Sequence, residues 1–157
     1  MMPDKPPLRL YRFEARMEAL AAVLAHVEAQ AGGLPSETVL RAQTALEELF
    51  TNCVLHGRPN PLHKKDKGGT LPGEGEQCIW LGVQRQGPQL HLRLEDPFAE
   101  FDPFQQVSQE SSFGYLPVED RPVGGLGVLM VARLADAVRY TRTGGRNCVS
   151  LHFAPRN

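Results

Sequence analysis

Two pairs of short segments in the second half of the sequence have the composition of β-strands. They are residues 78–84 with 90–95 and residues 137–141 with 148–153. A Gly87-Pro88 turn separates the first pair, and a glycine-containing segment separates the second. Because strand-like runs joined by a short glycine turn form β-hairpins, each pair is predicted to be antiparallel. The second half of the chain is therefore predicted to contribute two hairpins to one sheet.

Helical periodicity marks three other segments. They are residues 17–30, a segment that opens at residues 35–37 and ends at Gly57, and residues 127–136. In the middle segment the apolar side chains share one face, which is expected to pack on the sheet. These side chains are Val39, Ala42, Leu46, Leu49, Phe50 and Cys53. With a further strand predicted at 8–13, the pattern predicts an α/β fold: a two-layer α/β sandwich with a mixed, mostly antiparallel sheet and helices on one face.

Length and charge exclude several classes of protein. The chain has 157 residues, a formal net charge of −1 and 41% apolar residues, which predicts a single domain over residues 1–157. The balanced charge gives no electrostatic argument for binding nucleic acid or an anionic membrane surface. No apolar run approaches the ~20 residues that a transmembrane helix needs, and no secretory hydrophobic region follows the first methionine.

The three cysteines are too far apart in sequence to form a CxxC pair. Cys53, Cys78 and Cys148 each lie in an apolar run, so small core residues are the simplest interpretation. An odd number of cysteines without a signal peptide predicts reduced thiols in a cytoplasmic protein.

Residues 46–57, with the sequence LEELFTNCVLHG, carry two polar side chains beside the apolar face of the predicted helix. Glu48 and Asn52 are one turn apart and lie on the same side. A carboxylate in this position is able to accept a proton from an attacking hydroxyl group. An amide oxygen one turn later is a hard ligand suited to Mg²⁺. Taken alone, such a pair is more often part of a solvated helix surface.

A glycine-rich stretch at residues 123–131, VGGLGVLMV, directly precedes a predicted helix. Free backbone N–H groups and the helix dipole at such a point favour an anion. The stretch lacks the lysine of a P-loop and the leading strand of a dinucleotide-binding motif. A plain tight turn is therefore the alternative interpretation.

Asp96 stands at the end of a predicted strand, directly before Pro97. A carboxylate in that position is able to accept a hydrogen bond from an adenine amino group. Because Asp-Pro favours turns, the alternative is that Asp96 only begins a turn.

In their order along the chain, these three stretches resemble the histidine-kinase-like ATPases (the GHKL superfamily). The resemblance is carried by LEELFTNCVLHG, by a strand that ends in Asp96 before FDP, and by RPVGGLGVLMVARLAD followed by VRYTRTGGRN. Within the superfamily the chain looks most like the anti-sigma-factor serine/threonine kinases of bacterial partner-switching systems. The match extends from the second helix to about Phe153. It implies the Bergerat ATP-binding fold, in which ATP lies between the helices and a mobile lid.

The resemblance implies a role for each candidate residue. Glu48 would be the general base, Asn52 would bind Mg²⁺ and through it the phosphates of ATP, and Asp96 would read the adenine amino group. Residues 104–123 would form the lid of a domain whose core is about 8–153. The glycines that would let the lid and the following helix approach the phosphates are Gly124, Gly125 and Gly127.

The implied activity is that of an ATP-dependent anti-sigma-factor protein kinase. Such a kinase binds a sigma factor and phosphorylates an antagonist protein on Ser or Thr. By analogy a homodimer is expected to form through the sheet, with residues 8–13 as a candidate edge. No direct contact with nucleic acid or with a membrane is expected.

Phe98 departs from the family pattern, which has a glycine two residues after the Asp. Its ring is expected either to fill part of the base pocket or to stack beside the adenine. A filled pocket favours the alternative function, a catalytically silent module that binds its partners by shape. A sensor-type ATPase acting on a histidine is a weaker third option, since His26 on the first helix is expected to be an ordinary surface or core residue.

Overall fold

The computed structural model describes residues 7–59, 77–105 and 125–156. Residues 60–76, most of the expected lid (106–123) and Gly124 lie outside the described residues. Along the chain the elements are β1 (Leu10–Glu14), a 3₁₀ turn (Met17–Ala19), α1 (Leu20–Gln30), α2 (Ser36–His56), β2 (Cys78–Gln86), β3 (Gln89–Asp96), α3 (Gly125–Leu134), β4 (Ala137–Thr143) and β5 (Arg146–Phe153). Within these ranges no helix combines the length and apolarity needed to cross a bilayer.

The strands form a five-stranded sheet in the order β1-β2-β3-β5-β4, and each neighbouring pair is antiparallel. Both predicted hairpins are confirmed as β2–β3 and β4–β5. The turn of the second hairpin is shorter than the sequence suggested, because only Gly144 and Gly145 lie between the strands. Their φ angles of 60° and 77° are those of a primed two-residue turn, which glycine adopts without strain.

The core lies between the helices and one face of the sheet, and it confirms the predicted α/β sandwich. Alternate residues of β3 point into it, so Leu90, Leu92 and Leu94 are all buried. The predicted apolar face of α2 either belongs to this core or packs at its edge: Val39, Ala42, Leu46, Leu49, Phe50 and Cys53. Burial of a side chain such as that of Phe50 contributes about 1.5–3 kcal/mol, so this face alone accounts for the position of α2 on the sheet.

Two helices differ in extent from the sequence prediction. The first predicted helix is divided into the 3₁₀ turn and α1, and Ala19, at the N-cap of α1, provides no side-chain hydrogen bond. The helix predicted for 127–136 is observed at Gly125–Leu134. It ends early because the backbone N–H of Asp136 donates to the carbonyl of His152 on β5 at 2.8 Å. A contact with a distant strand therefore sets the end of α3.

His26 packs on two aromatic rings of β1. Its ring centroid lies 4.3 Å from that of Tyr11 and 5.8 Å from that of Phe13. Its Nε2 atom is buried and has no hydrogen-bond partner in the part of the chain that the structure describes. Burial lowers the pKa of His26 below its ordinary value of 6.5, because the charged imidazolium is disfavoured there.

We expect the protein to lose stability below pH 6.5 in a way that depends on His26. As the pH falls, the unfolded chain takes up a proton on His26 at a higher pH than the folded chain does. The contribution of neutral His26 to stability is therefore complete above pH 6.5 and is lost as the pH falls through the lower native pKa. Replacing His26 by Phe removes both this loss and the unpaired nitrogen, and should raise the free energy of unfolding at pH 5 by about 1 kcal/mol. Urea unfolding at pH 5 and pH 8 measures this. The exposed His56, changed to Gln, is the control; an equal gain there would contradict the prediction.

Candidate functional site

Glu48 and Asn52 lie one turn apart on α2, beside the face that packs on the sheet. Both side chains are half-buried, whereas their neighbours Ala45 and Leu49 are buried. Neither polar group hydrogen-bonds to any residue in the described ranges. Two half-buried polar groups without partners, side by side on one helix, are available to a ligand.

The Glu48 carboxylate lies against Gly127, in the first turn of α3. A Cβ added at Gly127 would overlap Oε2 of Glu48, so any larger residue there would force this carboxylate to move. The requirement is one of space, because no positive φ is involved. The fold thus brings the carboxylate of α2 to the glycine segment that precedes and begins α3. Contact of Gly127 with a phosphate remains a prediction, as it does for Gly125, the first residue of α3.

Asp96 is the last residue of β3, and its side chain is only 8% exposed. Its Oδ1 accepts hydrogen bonds from the backbone N–H of Phe98 and from Nδ2 of Asn147, each at 2.9 Å. The bond from Phe98 is an Asx-type turn, so the alternative expected from Asp-Pro is present in the structure. Because the turn uses one oxygen, it does not exclude a ligand at the other.

The second oxygen of Asp96 faces α2. The thiol of Cys53 donates to Oδ2 with an S–O distance of 3.5 Å. Burial and the nearby negative charge of Asp96 raise the pKa of the Cys53 thiol well above its ordinary value, so it stays protonated at neutral pH. Since Cys53 directly follows Asn52, this contact places the strand-end carboxylate beside the helix turn that carries Asn52.

Asn147, which the sequence analysis did not select, is the centre of this network. It is 4% exposed, and its Nδ2 also donates to the carbonyl of Ala99 at 2.9 Å. Its Oδ1 accepts from the Tyr140 hydroxyl at 2.6 Å and from the backbone N–H of Phe101 at 3.1 Å. The sequence did contain a signal for Asn147. It is the polar residue at the start of the buried face of β5, which is otherwise apolar.

Phe98 replaces the expected glycine, and it is part of the core. The side chain is 5% exposed, and its ring lies against Gly57 at the end of α2. A Cβ on Gly57 would stand 2.7 Å from a ring carbon of Phe98, so the two residues fit each other closely. The carbonyl of Phe98 accepts a 2.8 Å hydrogen bond from Arg142 on β4. With the ring turned inward, little of it is left to stack on a base.

A cavity of about 440 Å³ adjoins this network on the side of β4. Its lining residues are Glu100, Phe101, Asp102, Gln105 and Tyr140. Gln105 belongs to the beginning of the segment that was expected to form the lid. Tyr140 and Phe101, which hydrogen-bond to Asn147, separate this space from the buried Asp96–Asn147 pair.

The residues present fit Mg²⁺ and a nucleotide. Asn52 offers an amide oxygen that no described residue occupies, which is a suitable hard ligand for Mg²⁺. The N-terminal turn of α3 adds backbone N–H groups and the positive end of a helix dipole. Asp96 keeps acceptor capacity on Oδ2 for an amino group.

An antiparallel sheet covered by helices, with the Glu48 carboxylate of α2 against the first turn of a later helix, defines an α/β sandwich. Residues 13–153 match the family described as the histidine kinase-like ATPase domain, and the chain belongs to that family. Membership implies ATP as the ligand, with Mg²⁺ as its usual companion.

Two solved structures align with the chain at low sequence identity. The RsbU and RsbW domains of a Mycobacterium tuberculosis protein align with a TM-score of 0.54 and 13% identity. The alignment covers 94% of this chain and 33% of that one, so the present chain corresponds to about a third of its relative. The Acinetobacter baumannii histidine kinase AdeS aligns with a TM-score of 0.46 and 10% identity, over 96% of this chain and 70% of that one. No curated protein sequence matches the chain.

Proposed function

We propose that the chain is an ATP-dependent anti-sigma-factor protein serine/threonine kinase, acting as a single domain. It would bind a sigma factor and phosphorylate an antagonist protein on a Ser or Thr hydroxyl, in a homodimer within the cytoplasm. The proposal is supported by the sequence resemblance, by membership of the ATPase family and by one observation above all. That observation is the pair Glu48 and Asn52, which are half-buried and unpartnered among the described residues, with the Glu48 carboxylate against the first turn of α3.

In this reaction the protein positions the substrates and accepts a proton. Asp96 holds the adenine amino group, and Asn52 would hold Mg²⁺, which would neutralise phosphate charge. Glu48 takes the proton from the substrate hydroxyl as its oxygen forms a bond to the γ-phosphorus. The bond between that phosphorus and the β,γ-bridging oxygen breaks, and ADP leaves with the electron pair. Such chemistry depends on positioning and charge, so rigid placement of Glu48 matters.

The proposal requires nucleotide binding that depends on Asn52. We expect calorimetry to show Mg-ATP binding by the wild-type protein and at least a tenfold weaker affinity in Asn52→Ala, because the metal loses its protein ligand. Thr51→Ala, one residue away, is the matched control and should bind normally. Equal affinity of Asn52→Ala and wild type with Mg²⁺ present would remove Asn52 from the site.

Gly127→Ala is expected to lower phosphoryl transfer about tenfold with a smaller effect on ATP affinity. The new Cβ would occupy the position of the Glu48 carboxylate and force it to move, and misplaced catalytic groups lose rate. Steady-state turnover and calorimetry together measure both quantities. Gly32→Ala is the control, because a Cβ there meets its nearest atom at 3.8 Å. An unchanged rate in Gly127→Ala would show that the contact is unimportant for the chemistry.

The second candidate function is a catalytically silent module that regulates its partners by binding alone. It is favoured by Phe98, whose ring fills the inside of the turn where the family has glycine. The calorimetric experiment separates the two candidates. No heat of binding at saturating Mg-ATP supports the silent module, and binding that depends on Asn52 rejects it.

A further inference from the structure

The Asp96 carboxylate retains only part of its hydrogen-bonding capacity. Each carboxylate oxygen offers two acceptor positions. Both positions of Oδ1 are filled, by the N–H of Phe98 and by Nδ2 of Asn147. One position of Oδ2 receives the thiol of Cys53. Among the described residues no other side chain donates to Oδ2, so a ligand meets a carboxylate with a single open acceptor.

The donors around Asp96 are held in place by the surrounding structure. The amide of Asn147 cannot rotate by half a turn, because its Oδ1 accepts from Tyr140 and Phe101, and rotation would bring that oxygen against Asp96. The Cys53 thiol stays protonated, since burial and Asp96 raise its pKa. The open acceptor of Asp96 thus has a defined position on the side of α2.

Adenine and guanine place different demands on such a carboxylate. Adenine presents one exocyclic amino group on the edge that faces the carboxylate, and a single acceptor satisfies it. Guanine presents a ring N–H and an amino group side by side, which together match the two oxygens of an open carboxylate. When one oxygen is already saturated, a guanine donor is left unpaired in a buried site, and such unpaired groups give strong discrimination.

We propose that Asn147 is a positioning residue that, together with Cys53, restricts Asp96 to one open acceptor and so makes the site select adenine over guanine nucleotides. The inference rests on the proposed function, because it requires a nucleotide base at Asp96. It assigns a ligand-selecting role to the last residue of the stretch VRYTRTGGRN, for which the resemblance implied no role. Asn147 acts through Asp96 rather than on the nucleotide itself.

The test compares two replacements of equal shape, Asn147→Val and Asn147→Thr. Both remove the amide and its bonds to residues 99, 101 and 140, and both suit a strand, but only Thr retains a donor. Calorimetry with Mg-ATP and Mg-GTP gives the ratio of the two dissociation constants. In the wild type we expect ATP to be preferred about a hundredfold. Asn147→Val should lower this preference about tenfold, mainly through tighter GTP binding, whereas Asn147→Thr should stay close to the wild type.

Two further variants keep the test decisive. Tyr140→Phe removes a bond of the same amide that does not involve Asp96, so the preference should be unchanged. Cys53→Ala opens a position on Oδ2 with a small change in volume, and should lower the preference about threefold. Thermal unfolding establishes which variants are folded. If Asn147→Val does not fold, Cys53→Ala carries the test.

The outcomes separate this inference from the function on which it rests. A wild-type protein that does not bind ATP overturns the proposed function. A wild-type protein that binds ATP and GTP equally overturns the inference alone. The same holds if the preference is unchanged in every folded variant, or if Asn147→Thr loses it as fully as Asn147→Val.

Discussion

Glu48→Gln is expected to reduce phosphoryl transfer by at least about a hundredfold while ATP affinity changes little. The glutamine side chain has the same shape but cannot accept the proton of the substrate hydroxyl. Because the carboxylate has no hydrogen-bond partner among the described residues, the change leaves no donor of the protein unsatisfied. The fold should therefore be unaffected, and the loss should appear in kcat rather than in KM.

The matched control for this prediction is Glu47→Gln. Glu47 precedes Glu48 on α2 but is exposed to solvent, so the same chemical change should leave the rate unaltered. Transfer of labelled γ-phosphate from ATP to the antagonist, followed in single-turnover mode, isolates the chemical step. Wild-type rates in Glu48→Gln would rule out general-base catalysis by this residue.

The second large effect concerns Arg41, a buried cation on α2 that joins three parts of the chain. It is 8% exposed and donates to Glu37 at 2.8 Å, to the carbonyl of Leu134 at the end of α3 at 2.8 Å and to the carbonyl of Ala154 after β5. It also lies 3.4 Å from a carboxylate oxygen of Asp136. These bonds connect the N-terminal half of α2 to the end of α3 and to the C-terminal segment.

Arg41→Met should lower the free energy of unfolding by about 2–4 kcal/mol, because two carbonyl groups and two carboxylates lose their donor while the apolar stem is kept. Urea unfolding measures the change. Arg16→Met is the control, because its contacts to Glu14 and Glu18 are 3.7 Å long and exposed, and pairs of that kind contribute at most about 0.5 kcal/mol. Equal losses in the two variants would contradict the structural role of Arg41.

The same cluster predicts an acid-sensitive contribution to stability. The hydrogen bond from Arg41 is the main reason that the pKa of Glu37 is lowered from 4.5 to about 2. A carboxyl group with a lowered native pKa stabilises the fold above its unfolded value, so this contribution is complete above pH 4.5 and disappears as the pH falls towards about 2. In Arg41→Met this part of the acid dependence should be smaller, with the remainder due to the hydrogen bonds that Glu37 accepts from Arg156 and Thr38.

Much of the fold was accessible from local patterns. The hairpins β2–β3 and β4–β5 follow from strand-like runs and glycine turns, and α2 follows from an apolar face with helical spacing. Both signals arise within a few consecutive residues, so they need no knowledge of the rest of the chain. The boundaries were less accessible, as the end of α3 shows, because the residue that stops the helix bonds to β5.

The candidate site, like the fold, was accessible from the sequence only in part. The sequence by itself identified the candidate residues, since Glu48, Asn52 and Asp96 stand out by type, spacing and order. Only the tertiary structure decided that Gly127 lies against the Glu48 carboxylate and that the ring of Phe98 turns into the core. It also decided that Asn147 and Cys53 donate hydrogen bonds to the oxygens of Asp96. The physical reason is that hydrogen bonds and close contacts join residues that are 41 to 79 positions apart in the chain. No local pattern records which side chains will meet, because packing of α2 on the sheet and on α3 makes that selection.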